Sequence, residues 1–212
     1  MGNTFVDPVV SQAKFEKEVA QWSAHADDHR RRGILILEAR FPIIIAAFAF
    51  PSLPQPPILF GVEVDFTNYD MWPPSVRFIN PLTGERWRDG AETPFPVIMN
   101  GQAVPLFLRF EEDPTNGTIS VQRPVISQAQ KGPAFLCMRG VREYHEHPAH
   151  SGDAWLQYRD TGIGNLFYIL DRLHEFGIAH IAGMHVGLSY VSGGLPQLRR
   201  NPQQTEGADV RA

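Results

Sequence analysis

Cys137 is the only cysteine in the chain, and three of the eight histidines, His145, His147 and His150, follow it in the stretch AFLCMRGVREYHEHPAH. A thiol of this kind supports covalent chemistry. An unperturbed cysteine has a pKa of about 8.5, is a competent nucleophile near neutral pH, and is made more so by nearby cations. Arg139 and Arg142 follow closely enough in sequence to supply them. Covalent catalysis through such a thiol also needs a group that moves protons and a group that stabilises the charge that develops. Histidine serves either role near neutral pH, so His145 and His147 are candidates, with Tyr144 as a further donor and Asp153 as a carboxylate able to orient an imidazole. Two other readings compete. His-x-His-x-x-His on an extended segment points His145 and His147 to one side, where they and His150 could share a metal ion with Cys137 as fourth ligand, or serve a metallohydrolase whose nucleophile is water. A lone cysteine in an apolar segment is also a common inert core residue beside a solvated loop.

These residues need a scaffold, and the flanking sequence predicts one. Ser11 to Arg32 reads as a helix, with Phe15, Val19 and Trp22 on one stripe, Ser11 as N-cap and Gly33 as the stop. ILILEARF and IIIAAFAF, split by Pro42, are strand-like. LFGVEVDF alternates: Phe60, Val62, Val64 and Phe66 share one face, while Glu63 and Asp65 share the other, as in a half-buried strand. A Trp-Pro-Pro turn leads to another strand at Ser75 to Phe78. Strands this close together predict an antiparallel meander, not βαβ units. Residues 81–131 are broken by Gly and Pro and read as an insertion holding a hairpin around VPLFLRF and TISVQRP. A second helix is predicted over Asn165 to Phe176, with Leu166, Ile169, Leu170 and Leu173 inward and Gly177 past its end. Residues 1–191 are expected to form a single domain, and the polar stretch 192–212 a disordered tail.

Bulk properties exclude some classes. With 212 residues, 43% of them hydrophobic, the chain can build one sizeable core. Its net charge of −4 gives no electrostatic case for nucleic acid or an anionic membrane. The longest apolar run, Ile43 to Phe50, is too short to span a bilayer. No secretory signal opens the sequence, and a single cysteine suits a reducing compartment, so a cytoplasmic location is expected.

The order helix, antiparallel meander, proline-rich bend, cysteine segment, tryptophan, helix resembles the ubiquitin-conjugating (UBC) fold. The best local match is VEVDFTNYDMWPPSVRFINP, where Phe66, Tyr69, Pro73, Pro74, Val76 and Phe78 stand at positions of the family's bend and following strand. GPAFLCMRG is similar to the family's approach to its catalytic thiol, and Trp155 to the tryptophan that follows it. The resemblance covers Ser11 to Phe176. It implies an α+β domain that takes a ubiquitin-like protein from an activating enzyme as a thioester on Cys137 and transfers it to an amine. It implies no cofactor, membrane or nucleic acid. The family's His-Pro-Asn motif before the cysteine is missing, so the resemblance leaves the oxyanion role to His145 or His147, or else to backbone N–H groups or an asparagine such as Asn80 or Asn116. That departure and the long insertion resemble divergent bacterial members. Those are encoded beside an activating enzyme, a ubiquitin-like protein and a metal-dependent deconjugating peptidase, several of them in antiphage defence operons. Without the asparagine, a non-catalytic UBC-like binding module is the remaining reading.

Overall fold

The computed structural model of the chain describes residues 5–86 and 135–181, and between them 96–99, 102–105, 109–112, 114–115, 118–122 and 125–126. The chain divides into two units, Met1–Ala182 and Gly183–Ala212. The second unit, with the predicted tail 192–212 and the predicted domain end at 191, lies outside the described residues.

The first unit is α+β, with an N-terminal helix, an antiparallel sheet and later helices. Helix α1 (Pro8–Ser23) starts a turn earlier than the sequence predicts. Asp7 caps it, accepting the Val9 N–H at 2.9 Å, and Pro8 brings no N–H to satisfy. Ser11 therefore lies inside the helix, buried. The single helix expected to Arg32 is broken after Ser23, and a short α2 (Ala26–Arg31) folds back so that His29 stacks on Trp22, ring centroids 3.5 Å apart. Gly33 ends α2 at φ +84°, and a Cβ there would lie 2.1 Å from the Ala49 carbonyl oxygen, so only glycine fits.

The meander follows as β1 (Ile34–Arg40), β2 (Ile43–Ala49), β3 (Ile58–Asp65) and β4 (Ser75–Ile79), each antiparallel to the next. Val62 of β3 lies opposite Ala46 of β2 and Phe78 of β4. The alternation predicted for β3 holds: Phe60, Val62, Val64 and the adjoining Phe66 are fully buried. Glu63, on the other face, pairs with Arg77 at 3.1 Å and Arg86 at 2.9 Å. Phe15 of α1 meets Phe41 and Phe66 edge-on at 5.6 and 5.5 Å. One apolar cluster joins these side chains to Trp22 and to Leu166, Ile169, Leu170 and Leu173 of the last helix.

The predicted insertion carries two hairpins, β5 (Pro96–Met99) with β6 (Gln102–Pro105), and β7 (Arg109–Glu112) with β8 (Ile119–Gln122). The second overlaps the hairpin predicted there. Then β9 (Val125–Ile126) and β10 (Phe135–Leu136) rejoin the main sheet, giving the order β1-β2-β3-β4-β10-β9. Phe135 lies opposite Arg77 of β4 and Ile126 of β9. The chain thus returns to the strand it left, two residues before Cys137.

Beyond β10 lie a five-residue helix α3 (Arg142–Glu146), 3-10 turns at Pro148–His150 and Trp155–Gln157, and α4 (Leu166–His174). Asn165 caps α4, accepting the Tyr168 N–H at 2.7 Å. Gly177 does not stop the chain's helical path, which continues as a π-turn over Glu175–Ala179. Among the described residues no helix is long and apolar enough to cross a membrane.

Candidate functional site

The site rests on the bend between β3 and β4. Tyr69 is buried there and donates to a carboxylate oxygen of Glu18 at 3.2 Å, while the other oxygen of Glu18 accepts the Leu166 N–H at 3.0 Å. The bend, α1 and α4 are thereby tied through one side chain. Trp155 donates its indole N–H to the Asp70 carbonyl at 2.8 Å. Helix α3 is clamped on the other side of the bend. Arg142 donates to the carbonyls of Pro73 (3.2 Å) and Thr67 (2.7 Å), with its guanidinium 5.5 Å from the Trp72 ring centroid. Glu143 accepts the Val76 N–H at 3.2 Å and the Ser75 hydroxyl. Burial pushes the Glu143 carboxyl up, as expected for an acid held largely away from water.

Cys137 leaves β10 half-buried, at the edge of this platform. Its Sγ lies 3.3 Å from Nε2 of His150, within reach of a hydrogen bond to sulfur. The two arginines predicted to lower the thiol's pKa do not do so. Arg142 is held on the bend, and Arg139 donates from Nε to Asp153 at 2.8 Å. Burial instead pushes the Cys137 thiol up, so the sulfur needs a base beside it to react near neutral pH. His150 is the imidazole in that position. Its ring stacks on Tyr144 at 3.9 Å and 18°.

Asp153 gathers the surrounding groups. One carboxylate oxygen accepts from Arg139 and from the Tyr144 hydroxyl at 2.6 Å, and the other accepts from the Tyr158 hydroxyl. The Tyr144 and Tyr158 hydrogen bonds, with Arg139, hold its carboxyl well below the usual carboxylate range. The Asp153 N–H donates to the His150 carbonyl at 2.9 Å, and its own carbonyl meets Nδ1 of His145 at 2.7 Å. His145 also accepts the Gly140 N–H at Nε2, 3.1 Å away. A nitrogen that accepts carries no hydrogen, so the proton sits on Nδ1 and both ring nitrogens are engaged. Asp153 therefore orients an imidazole, as predicted, but through its main chain, and that imidazole is a brace between two loops. His147 accepts the Ala149 N–H at 3.2 Å and lies against Phe135, 5.6 Å between centroids.

The loops meet at two glycines. Gly140 (φ +86°) and Gly164 (φ +78°) touch backbone to backbone, and a Cβ on Gly140 would stand 2.5 Å from the Gly164 nitrogen. This contact presses the turn after the thiol onto the turn that starts α4.

The three histidines are not on one extended strand: His145 is in α3 and His150 ends a 3-10 turn. Among the described residues no three His, Cys, Asp or Glu side chains are placed to hold a metal ion. Of the asparagines named for the oxyanion, Asn80 lies in the turn after β4, where its side-chain oxygen accepts the Leu82 N–H at 2.9 Å, and Asn116 lies outside the described residues. Sequence reasoning named His150 only as a metal ligand. The signal for its position was Pro148, which starts the turn that brings the ring back to the sulfur.

The family model for Y4jH-like proteins (Y4jH family) matches residues 6–92 and 114–181. The chain belongs to the Y4jH-like family. The Y4jH-like match takes in the whole meander and the segment from Cys137 to α4, and passes over 93–113, inside the insertion. A relative from Sinorhizobium fredii (strain NBRC 101917 / NGR234), uncharacterized protein y4jH, is 36% identical over 201 residues, covering 90% of this chain and 93% of the relative.

Proposed function

We propose that this protein is a ubiquitin-conjugating-like acyl carrier, working in the cytoplasm, with Cys137 as the thiol that is charged and discharged. The observation that supports it most is the Cys137–His150 pair, 3.3 Å apart, held at the point where the chain leaves the sheet after the meander and the insertion. In charging, His150 takes the thiol proton at Nε2 and Sγ attacks the carbonyl carbon of a ubiquitin-like protein's C-terminal thioester. A new C–S bond forms, and the activating enzyme's sulfur leaves and is protonated. In discharge, an amine attacks the same carbon, the C–N bond forms, Cys137 leaves as thiolate, and the surplus amine proton passes to His150. A positioned base of this kind contributes roughly 10²–10⁴-fold. We assign to His150 the role expected of His145 and His147, because both ring nitrogens of His145 are engaged with Gly140 and Asp153, Nδ1 of His147 accepts the Ala149 N–H, and His150 is the imidazole that meets the sulfur. A metal-dependent deconjugating peptidase and an antiphage setting belong to the same proposal through the UBC resemblance.

The test is incubation with the cognate activating enzyme, ATP and ubiquitin-like protein, read on a non-reducing gel. The expected result is a thiol-sensitive adduct that Cys137→Ala abolishes and that His150→Gln forms and discharges more slowly. An adduct undiminished in Cys137→Ala overturns the assignment.

A further inference from the structure

Resting on that reading, and deepening it, we propose that Tyr144 and Asp153 are positioning residues that hold His150 at the sulfur of Cys137. His150 lies on a loop, and its ring would rotate freely about χ1 and χ2 if nothing held it. Two contacts place it: the Tyr144 ring, parallel within 18° at 3.9 Å, limits its rotation, and the Asp153 N–H holds the His150 main chain through its carbonyl at 2.9 Å. Tyr144 is itself fixed, since its hydroxyl donates to Asp153 at 2.6 Å and its ring is buried. Asp153 in turn is anchored by Arg139 at 2.8 Å and by the Tyr158 hydroxyl. A chain of contacts therefore runs from Arg139 and Tyr158 through Asp153 and the Tyr144 ring to His150, and ends on Sγ.

The direction of each proton supports a fixed, non-reacting role for the tyrosine. Burial and the bond to Asp153 push the Tyr144 hydroxyl up, so it keeps the proton it donates. The polar neighbour of the thiol is His150, so Tyr144 and Asp153 act through the imidazole. Arg139 and Tyr158 then serve as outer supports: they keep Asp153 ionised and aimed, which a carboxylate needs to accept from Tyr144.

The measurement is the pH–rate profile of Cys137 alkylation by iodoacetamide on the full chain. It needs no partner protein. His150→Gln is expected to remove the part of the neutral-pH rate that depends on the imidazole. Tyr144→Phe, which keeps the ring and loses only the hydroxyl, and Asp153→Asn are each expected to cut that same part about 10-fold, as loss of an orienting partner does elsewhere. Melting temperature is followed in parallel. The decisive comparison is the double variant: Tyr144→Phe added to His150→Gln is expected to change nothing further, because a residue that acts through His150 has no effect once the imidazole is gone. A profile for Tyr144→Phe and Asp153→Asn that matches the unsubstituted protein overturns the proposal. So does an equal fall in the presence and absence of His150, which is the mark of a purely structural role. Thioester formation is scored separately. A positive profile without a thioester leaves the positioning intact and removes the acyl-carrier reading; a thioester with an unchanged profile does the reverse.

Discussion

The platform built by α1, the meander and α4 and the loop that carries the thiol are held together by opposite means. The platform buries Phe48, Phe60, Phe66, Ile44, Leu166, Ile169 and Leu170 almost completely, and its cohesion is that of close-packed apolar area. The loop from Cys137 to Tyr158 has few such residues. It is fixed by directed contacts that converge on Asp153, by the bidentate grip of Glu143 on β4, and by two glycines touching. Apolar packing resists any displacement but specifies orientation loosely. Hydrogen bonds specify orientation closely, and each is worth only about 1 kcal/mol net. A reactive pair needs direction more than strength, and the loop supplies direction because the platform below supplies strength.

Truncation in the platform should therefore cost the most. Phe66→Ala removes a fully buried ring that meets Phe15 at 5.5 Å and Tyr69 at 4.9 Å. A loss of about 3–5 kcal/mol is expected in urea unfolding, with an unchanged m-value. A loss below about 1 kcal/mol would show that the cluster is not what holds the domain. Gly164→Ala probes the seam between the two regions. It sets a Cβ 2.7 Å from the Gly140 carbonyl oxygen at a positive φ, and a cost of about 1–3 kcal/mol is expected. Because the seam also aligns the turn after Cys137, the alkylation rate should fall along with stability, whereas Phe66→Ala should leave that rate unchanged in the fraction that remains folded. Equal rates in folded Gly164→Ala and in the unsubstituted protein would separate the seam from the site.

The smallest effect tests an exception inside the platform. His29 is buried, stacked on Trp22, and among the described residues its two ring nitrogens have no hydrogen-bond partner. Burial, then Arg32 and His25, pushes its pKa down, against weaker opposing pulls from Asp28 and Asp171. The folded state thus binds this proton less readily than the unfolded chain. The stabilisation from a neutral His29 is complete above the unfolded value of about 6.5 and is lost as pH falls below it toward the folded value. The difference in unfolding free energy between the unsubstituted protein and His29→Phe should shift in favour of the variant between pH 7.5 and pH 5.5. A difference independent of pH would mean that the ring finds a partner on protonation.

The sequence made the platform readable where burial is periodic. Phe60, Val62, Val64 and Phe66 alternate, and an alternation of that length has one economical solution, a strand with one face buried. The inward face of α4 was legible for the same reason, with Leu166, Ile169, Leu170 and Leu173 all buried. Helix ends were less so. Ser11 was a plausible cap, but Asp7 before Pro8 is a better one, since it pairs an acceptor with a residue that needs none. The break after Ser23 has no local breaker; it accompanies the His29–Trp22 stack, which only the folded chain displays. In the site, the type of chemistry was visible in the composition of one stretch, but the choice among His145, His147 and His150 was not. It turns on α3 and a proline-started turn, which replace the extended segment that the spacing implied.

The adjacency of β4 and β10 carries a consequence for the architecture of the gene as much as of the protein. Phe135 lies opposite Arg77, so after leaving on β4 the chain re-enters at the edge strand β9 and then fills the place between them with β10, antiparallel to both. Between β4 and β10 the described residues place two hairpins, β5–β6 and β7–β8, and the edge strand β9. Doubling a loop costs only about 0.6 kcal/mol of closure entropy. Length can therefore change between β4 and β9 while the register of β10 on β4, and with it the address of the sulfur, stays where it is. The stretch 93–113, which the Y4jH-like model passes over, is thus the place where a spliced-in tag is expected to leave the sulfur's position unchanged, as the Cys137 alkylation rate would show.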